Sequence, residues 1–289
     1  MRHGRPKAGR MSSAIIIFSL FSLLITSFSS EVSASELSEN LSKEEKLIAL
    51  NAGMVVATFL WGFAYWDYGK FDPHFKSEMW FSKESYRGGA DKFGHLYASY
   101  LLSTVLCSLY SSWGYEEKDA ARLGALSSFI LQAAMEVGDS ISRYGFSYED
   151  VIMNGLGSAF GYILNSNPEI ARKIDIRLEY FPSRGFLNKG GLDFTTDYDG
   201  MKFLFALKLD GLDFIKDRHG YLKYLEVEVG YYTRGYKWKT TREKSRNVFF
   251  GLGINLSKVL ESFSFGKTAR VFNYYQMPYS YAPITVDLN

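Results

Sequence analysis

The residues best suited to chemistry lie between Gly89 and Tyr162, where ionisable and amide side chains stand at or near the ends of apolar runs. Asp91 and His95 are four residues apart, a spacing that places them on one face of a helix. Two further groups share helical spacing: Gln132, Glu136 and Asp139 in one run, and Asp150 with Asn154 in the next. A His beside a carboxylate can act in general acid–base catalysis.

If these three runs converge as helices, one His and up to four carboxylates meet inside an otherwise apolar bundle. The candidate catalytic residues are His95, Asp91, Glu136 and Asp150. The candidate binding residues are Lys92, Asp139, Arg143 and Asn154. Of these, Lys92 and Arg143 could hold a phosphate or another anion. Because Lys92 is adjacent to Asp91, its side chain is expected to point away from the face that carries Asp91 and His95.

The same groups admit two other interpretations. Asp91 and Asp150 stand near predicted helix starts, where a carboxylate is favourable without any function, so the cluster could simply cap helices and pair across the bundle. One His with several carboxylates could also hold a divalent metal, although no residue is assigned as a metal ligand and no cofactor is predicted. The motifs Gly-X-Ser-X-Gly and His-Glu-X-X-His do not occur in the sequence, which removes two familiar hydrolase classes.

Composition narrows the class of protein further. The chain has 289 residues and a formal charge of +2, and several of its basic residues lie within the first 34, so the remainder is nearly neutral. Nucleic-acid binders usually concentrate positive charge, so nucleic acid is not expected as a partner. Aromatic residues make up 17% of the chain, which favours a large core or a membrane-facing surface over disorder. Membrane or envelope lipid is therefore the expected partner.

Residues 1–34 resemble a secretory signal. Basic residues precede the apolar run 14–26, and Val32-Ser33-Ala34 offers a small-residue cleavage site. No Cys follows that run, so a lipid-anchored start is not indicated, and an uncleaved anchor is the alternative. We expect the protein to be exported, to the periplasm or outer membrane of a Gram-negative-type envelope.

Residues 35–172 are predicted to form a bundle of about four helices. Ser42 and Glu45 have the spacing of a capping box, and the apolar run 47–66 follows. At about 1.5 Å per residue this run could nearly span a bilayer, but its polar and glycine interruptions favour a buried bundle helix. Three shorter helices are expected after it, over about residues 91–111, 118–138 and 148–164.

Residues 173–289 are predicted to form an antiparallel β region, because the hydrophobic period changes there from helical to alternating. In 225–231, for example, apolar residues alternate with Glu226 and Glu228. This pattern suits either a soluble sheet packed on helices or an outer-membrane barrel that is apolar outside and polar within. The abundance of Tyr and Phe and the exported start favour the barrel. The fold class is α+β in either case.

Four spaced motifs resemble a known family. They are Asp91-Lys92-X-X-His95, Glu136-X-X-Asp139, Gly145-Phe-Ser147-X-X-Asp150 and Asn154-X-X-Gly157. In this order they look like the YfiM-like family of predicted periplasmic or outer-membrane proteins, with a more distant similarity to VanZ-like proteins. The first resemblance implies an uncharacterised exported protein. VanZ-like proteins are associated with glycopeptide (teicoplanin) resistance, but the exported start and the β-rich second half depart from that family, so this role is not carried over.

Three functions follow from these observations as alternatives. The first is a non-catalytic component associated with the outer membrane, in which the polar cluster fixes helix packing. The second is a hydrolase or binder of a lipid or cell-wall precursor, with His95 as base and the neighbouring carboxylates assisting. The third is a small outer-membrane pore built by the strands. The sequence decides neither whether the protein is an enzyme nor its oligomeric state.

Overall fold

The computed structural model of the protein describes residues 41–189, 194–216, 220–237 and 243–289. It shows a mixed α+β fold, in which long helices come first in the chain and the strands of a single sheet follow. The predicted signal, residues 1–34, lies outside the described residues.

Four long helices precede the sheet: α1 Lys43–Tyr65, α2 Ala90–Ser112, α3 Glu117–Ser140 and α4 Tyr148–Ser166. The capping box predicted for α1 is present, since the backbone N–H of Glu45 donates to Ser42 Oγ and that of Ser42 donates to Glu45 Oε2. Ser147 caps α4 by accepting from the backbone N–H of Asp150 at 3.2 Å. Asp150 therefore lies in the first turn of α4, where the helix dipole favours a negative charge.

The helices α2, α3 and α4 pack against one another, whereas α1 contacts mainly α3. Two glycines of α4 let α2 approach closely. A Cβ on Gly157 would lie 2.1 Å from the carbonyl oxygen of Leu96, and one on Gly161 would lie 2.3 Å from Ser103 Oγ. This close approach brings the polar groups on the facing sides of α2 and α4 within hydrogen-bonding reach.

The first helix, α1, is much more exposed than the sequence suggested. Among the described residues it is long and apolar enough to cross a membrane, with a mean hydropathy of 1.8 over an 18-residue window of which 11% is buried. Thr58 and Gly62 are its buried residues. The expectation of a buried bundle helix is therefore wrong, because the apolar residues of α1 surround the helix and only a narrow side can face α3.

Six strands form one sheet in the order β5-β1-β2-β3-β4-β6. Their bounds are β1 Ile174–Tyr180, β2 Met201–Lys208, β3 Leu225–Arg234, β4 Ser245–Ile254, β5 Tyr275–Gln276 and β6 Tyr281–Asp287. Neighbouring strands are antiparallel except that the short β5 runs parallel to β1. The purely antiparallel prediction is therefore wrong at this edge.

Short helices and 3-10 turns lie between α4 and β1 and between the strands. The helices are Pro168–Ala171, Arg184–Lys189, Asp213–Lys216, Leu256–Ser262 and Gly266–Ala269. The 3-10 turns are Phe194–Thr196, Tyr198–Gly200, Leu209–Gly211, Leu222–Tyr224 and Arg270–Asn273.

The sheet is strongly curled. In a flat sheet β1 and β6 would lie four strand spacings apart, about 19 Å at roughly 4.8 Å per spacing. Yet the Tyr281 hydroxyl of β6 donates to Glu179 Oε2 of β1 at 2.5 Å. The edge strands β5 and β6 do not pair with each other, so within the described ranges the sheet is open. The predicted barrel, and with it the pore, is wrong for this part of the chain.

The concave face of the curled sheet is charged and buried. Arg177 donates to both carboxylate oxygens of Glu226, at 2.6 and 2.9 Å, and to Asp175 Oδ2 at 2.6 Å. Lys208 donates to the other oxygen of Asp175 at 2.7 Å. We call this group the sheet cluster; it comprises Asp175, Arg177, Glu179, Lys202, Lys208, Glu226 and Glu228. Strand alternation places all its members on one face.

The convex face is apolar, and the helices cover only part of it. At the β1–β2 side, Ile176 and Phe203 pack into the core formed by α2 and α4. Farther along, the same face is exposed; its exposed apolar residues are Leu207, Val227, Val229, Phe250, Leu252, Ile254, Ile284 and Val286. The register makes this patch continuous, because Val229 pairs with Phe250 and Phe250 pairs with Ile284. We call these eight residues the convex patch.

Candidate functional site

Lys92 lies at the centre of a group of carboxylates. Its side chain is fully buried, and its ammonium donates to Asp150 Oδ1 at 2.7 Å, to Asp91 Oδ2 at 3.1 Å and to Glu78. The prediction that Lys92 points away from Asp91 is therefore wrong, while its role as a binding residue stays a prediction. Helical side chains lean toward the helix N-terminus, and there the long lysine meets the loop before α2 and the first turn of α4.

Lys92 is a fixed cation in this setting. Burial alone lowers the pKa of its ammonium, but the charges of Asp91, Asp150 and Glu78 outweigh burial and raise the pKa above its ordinary value. For Glu78 the balance is different, because burial and a hydrogen bond with Asp91 raise its pKa despite the neighbouring ammonium.

His95 lies one turn further along α2 and faces acceptors from two other helices. Its Nδ1 is 3.2 Å from Asn154 Oδ1 and 4.0 Å from Glu136 Oε1, while its Nε2 is 3.6 Å from Asp150 Oδ1. Burial lowers the pKa of the imidazole, but the charges of Asp150 and Glu136 outweigh it, so the net shift is upward. The side chain keeps 25% of its surface exposed, so solvent reaches this end of the cluster.

The two carboxylates of α3 are hard to ionise. Burial raises the pKa of Glu136 to about 8, although the charge of His95 opposes the shift. Burial likewise raises the pKa of Asp139 to about 7, opposed by His95 and by the hydroxyl of Tyr68. Glu136 accepts a long hydrogen bond, 3.4 Å, from the backbone N–H of Ser147 at the start of α4.

Asn154 joins the same cluster from α4 and is fully buried. Its Oδ1 accepts from Ser99 Oγ at 3.0 Å and from Gln132 Nε2 at 3.5 Å, in addition to its contact with His95. Its Nδ2 has no hydrogen-bond partner among the residues that the structure describes. A buried amide N–H without an acceptor is costly.

Arg143 is the predicted site residue that does not lie near the others. Its side chain is largely exposed, lies 3.7 Å from Asp67, and stacks on the ring of Tyr144. The loop that follows α3 carries Arg143 to the surface, so it does not share an anion site with Lys92.

Glu78 is the residue that sequence reasoning missed. It lies in the loop before α2, where no periodic pattern signals a role. This loop is fastened to α4, because Glu149 accepts from Ser77 Oγ at 2.6 Å and from the backbone N–H of Glu78 at 3.1 Å. The next residue, Met79, has a left-handed backbone with φ 60°, and the turn it makes is visible only in three dimensions.

Together these residues form the helix cluster: Glu78, Asp91, Lys92, His95, Glu136, Asp139, Asp150 and Asn154. The predicted convergence of three helices is thus present, and a loop adds a fifth carboxylate. Against five carboxylates, the described residues of the cluster supply Lys92 and, when protonated, His95. The cluster therefore has more acidic groups than cations, and burial favours the protonated forms of Glu136 and Asp139. Its catalytic role stays a prediction.

The comparisons with known proteins bear on this region. A family described as predicted periplasmic lipoproteins (DUF2279) matches residues 77–166. The match spans the loop residue Glu78 and the helices α2 to α4, and so includes the whole helix cluster. It covers about a third of the chain. No curated protein and no solved structure matches the chain.

The family description supports an uncharacterised periplasmic family, and it confirms the predicted location. The protein is exported, to the periplasm or the outer membrane.

Proposed function

We propose that the protein is a non-catalytic, membrane-associated component of the cell envelope, whose convex patch contacts lipid acyl chains and whose helix cluster holds α2, α3 and α4 together. The observation that carries this proposal is the inverted polarity of the sheet. Its charged face is buried, and much of its apolar face is exposed.

A sheet with one solvated face normally turns its polar residues to water and its apolar residues to the core. Strands in an outer membrane show the opposite arrangement, apolar toward lipid and polar inside. In the central row of the convex patch, Val229, Phe250 and Ile284 keep 40%, 55% and 74% of their surface exposed. A continuous apolar patch of this kind marks a protein or membrane contact.

The exposed helix α1 supports a lipid environment independently of the sheet. With 23 residues, it is about 34 Å long at roughly 1.5 Å per residue, comparable with a hydrocarbon core of about 30 Å. Core helices of soluble proteins also pass a test of length and composition, but they are mostly buried, and α1 is not.

The helix cluster supports a packing role because its members come from different segments and engage one another. Asp150 of α4 accepts from Lys92 of α2 and faces His95. The Nδ1 of His95 faces Asn154 and its Nε2 faces Asp150, so the imidazole bridges α2 and α4 rather than presenting a free base. The YfiM-like resemblance, which implies an uncharacterised envelope protein, agrees with this proposal.

Fluorescence at single labelled positions tests the lipid contact. In a Cys107→Ser background, Phe250→Cys carries an environment-sensitive fluorophore, and the full chain is reconstituted in phosphatidylethanolamine–phosphatidylglycerol vesicles. We expect blue-shifted emission that spin-labelled acyl chains quench. Tyr86→Cys is the matched control: Tyr86 is also an exposed aromatic, at 72% of its surface, but it lies in the loop before α2, and its label should stay in water.

Equal, water-like emission from both labels would overturn the proposal. So would a detergent-free, water-soluble dimer in which the label at position 250 is buried, because the patch would then be a protein interface.

A second candidate, a hydrolase or binder of a lipid or cell-wall precursor, is favoured by one observation. His95 keeps a quarter of its side chain exposed beside surplus carboxylates, so a ligand can reach it. Purified protein incubated with a fluorescent phospholipid should then release a product, and His95→Gln should abolish the release without changing the circular dichroism spectrum. A wild-type rate no higher than that of the variant would exclude this candidate.

A further inference from the structure

His95, Glu136 and Asp150 come from three different helices, and each has one potential metal-ligating atom near those of the other two. These three atoms all lie within 4.8 Å of one another. We propose that His95, Glu136 and Asp150 bind one divalent transition-metal ion of the zinc or manganese class, which cross-links α2, α3 and α4. This inference does not rest on the membrane proposal.

The distance between His95 and Asp150 suits an ion better than a direct hydrogen bond. Their Nε2 and Oδ1 atoms are 3.6 Å apart, beyond the limit of about 3.2 Å for an N–H···O bond. Ligand bonds of about 2.1 Å in a tetrahedral zinc site place neighbouring ligand atoms about 3.4 Å apart. The two atoms are thus already near the separation that they would have as ligands of one ion.

One ring nitrogen of His95 has the kind of partner that a metal-binding imidazole requires. A metal-binding imidazole usually donates its second N–H to a carboxylate or carbonyl oxygen. Here Nδ1 is 3.2 Å from the amide oxygen of Asn154. A proton on Nδ1 leaves the lone pair of Nε2 directed toward Asp150, a contact between two electron-rich atoms that a cation would stabilise.

Asn154 supplies a second, independent observation. It is fully buried and contacts His95, yet its Nδ2 has no partner among the described residues. The cluster therefore lacks one hydrogen-bond acceptor at the amide of Asn154. Three protein ligands leave a metal ion a further position, which water commonly takes, and such a water is an acceptor of the kind that this amide lacks.

The charge balance points the same way. Two overlapping triads of ligating side chains share Asp150. The triad of Glu78, Asp91 and Asp150 holds the ammonium of Lys92, so a cation is built into it. The triad of His95, Glu136 and Asp150 has two carboxyl groups, one of which also accepts from Lys92, and a divalent ion would give this triad a cation of its own. One imidazole with two carboxylates suits zinc or manganese better than calcium, which takes only oxygen ligands.

Titration of the full chain with zinc tests the site. The protein, purified in detergent with a tag free of histidine and treated with a chelator, should bind one Zn²⁺ per chain by calorimetry, and its thermal midpoint should rise. X-ray absorption should show one imidazole nitrogen and carboxylate oxygens at about 2.0–2.2 Å. We expect His95→Ala and Glu136→Gln each to weaken binding at least about 100-fold, since loss of a supporting residue alone typically costs about 10–100-fold.

His74→Ala is the matched control, because His74 lies in the loop before α2 and outside both triads. Its zinc affinity should equal that of the wild type. If His95→Ala does not fold, Glu136→Gln decides, because it keeps the shape and the uncharged form of the glutamic acid. Zinc binding that survives Glu136→Gln with unchanged affinity would overturn the proposal. So would the absence of binding by the wild type at about 100 µM Zn²⁺, a concentration well above what structural zinc sites need.

Discussion

The sheet cluster and the helix cluster both bury several charged side chains, but they differ in balance and in access. In the sheet cluster three cations face four carboxylates, and burial together with the charge of Glu226 raises the pKa of Glu228 to about 8. Near neutral pH the remaining three carboxylates therefore match the three cations. In the helix cluster five carboxyl groups face one fixed cation, Lys92, and one imidazole. Burial raises the pKa of Glu136 to about 8 and that of Asp139 to about 7, so these acids hold protons near neutral pH as Glu228 does in the sheet cluster.

The two clusters also differ in their exposure to solvent. Most members of the sheet cluster are almost fully buried on the concave face, with Lys202 the most exposed. The helix cluster has one end open to solvent at His95. A balanced, closed cluster is sufficient to fill the inside of a curled sheet. A cluster with more acidic groups than cations and with an opening to solvent leaves room for a bound cation, so the proposed metal site lies among the helices and not on the sheet.

The largest effect should come from breaking the sheet cluster at its central cation. Arg177→Met leaves Glu226 and Asp175 buried without their main partner. Removal of one partner from a buried ion pair typically costs about 3–5 kcal/mol, and we expect the free energy of unfolding to fall by this amount. Urea unfolding followed by tryptophan fluorescence measures it.

Arg122→Met is the matched control for this substitution. Arg122 pairs with Asp119 at 3.1 Å on the surface, where both side chains are more than half exposed, and such pairs contribute little. The urea midpoint of this variant should equal that of the wild type. If Arg177→Met lost less than about 1 kcal/mol, the sheet cluster would not be the closed, charge-matched group described above.

The sequence predicted the helices and most strands because each depends on local periodicity. It also predicted the convergence of His95, Asp91, Glu136 and Asp150, since helical spacing alone puts each pair on one face. It could not predict the direction of Lys92, whose flexible side chain is positioned by two other segments. Nor could the sequence identify Glu78 as a member of the cluster, because a loop lacks the hydrophobic periodicity that reveals which residues share a face. The position of Glu78 depends on the hydrogen bonds that Glu149 makes to this loop.

The sequence also could not predict whether the sheet closes into a barrel. An alternating strand reads the same whether its polar face lines a closed barrel or a curled, open sheet. The difference lies in the edges: β5 has two residues and pairs with β1, whereas β6 pairs with β4. On the concave side, Tyr281 of β6 contacts Glu179 of β1 through side chains alone, without backbone hydrogen bonds between the two strands. The hydrophobic periodicity of the sequence does not show which strands pair through their backbones.

The helix cluster should make stability fall as pH rises. Burial raises the pKa of Glu136 to about 8 from its ordinary value of 4.5, so between these values the folded state holds a proton that the unfolded state has lost. Stability therefore decreases over this range, by at most about 1.4 kcal/mol per pH unit for each such group. The raised pKa of His95 acts in the same direction. Unfolding at pH 5, 7 and 9 with chelator present measures the slope.

Glu136→Gln should flatten this dependence. The amide resembles the protonated acid, so the variant should match the wild type at pH 5 and exceed its stability at pH 9. Glu117→Gln, an exposed change on the same helix, should keep the wild-type slope. An unchanged slope in Glu136→Gln would mean that Glu136 ionises as an ordinary carboxylate and that the helix cluster carries even more negative charge.

The smallest effect should come from a glutamate of the sheet cluster, and it tests the charge balance most directly. Glu226 and Glu228 lie two residues apart on β3, and both are fully buried. Glu226 accepts two hydrogen bonds from Arg177, so Glu226→Gln removes a charged partner and should cost about 2–3 kcal/mol at pH 7. Glu228, uncharged at this pH, already resembles an amide, so Glu228→Gln should change the unfolding free energy by less than about 1 kcal/mol.

At pH 9 the wild type must bury a fourth negative charge, so Glu228→Gln should then be the more stable protein. Equal losses for the two variants at pH 7 would show that Glu228 is ionised, and the sheet cluster would then carry one more negative charge than its three cations balance.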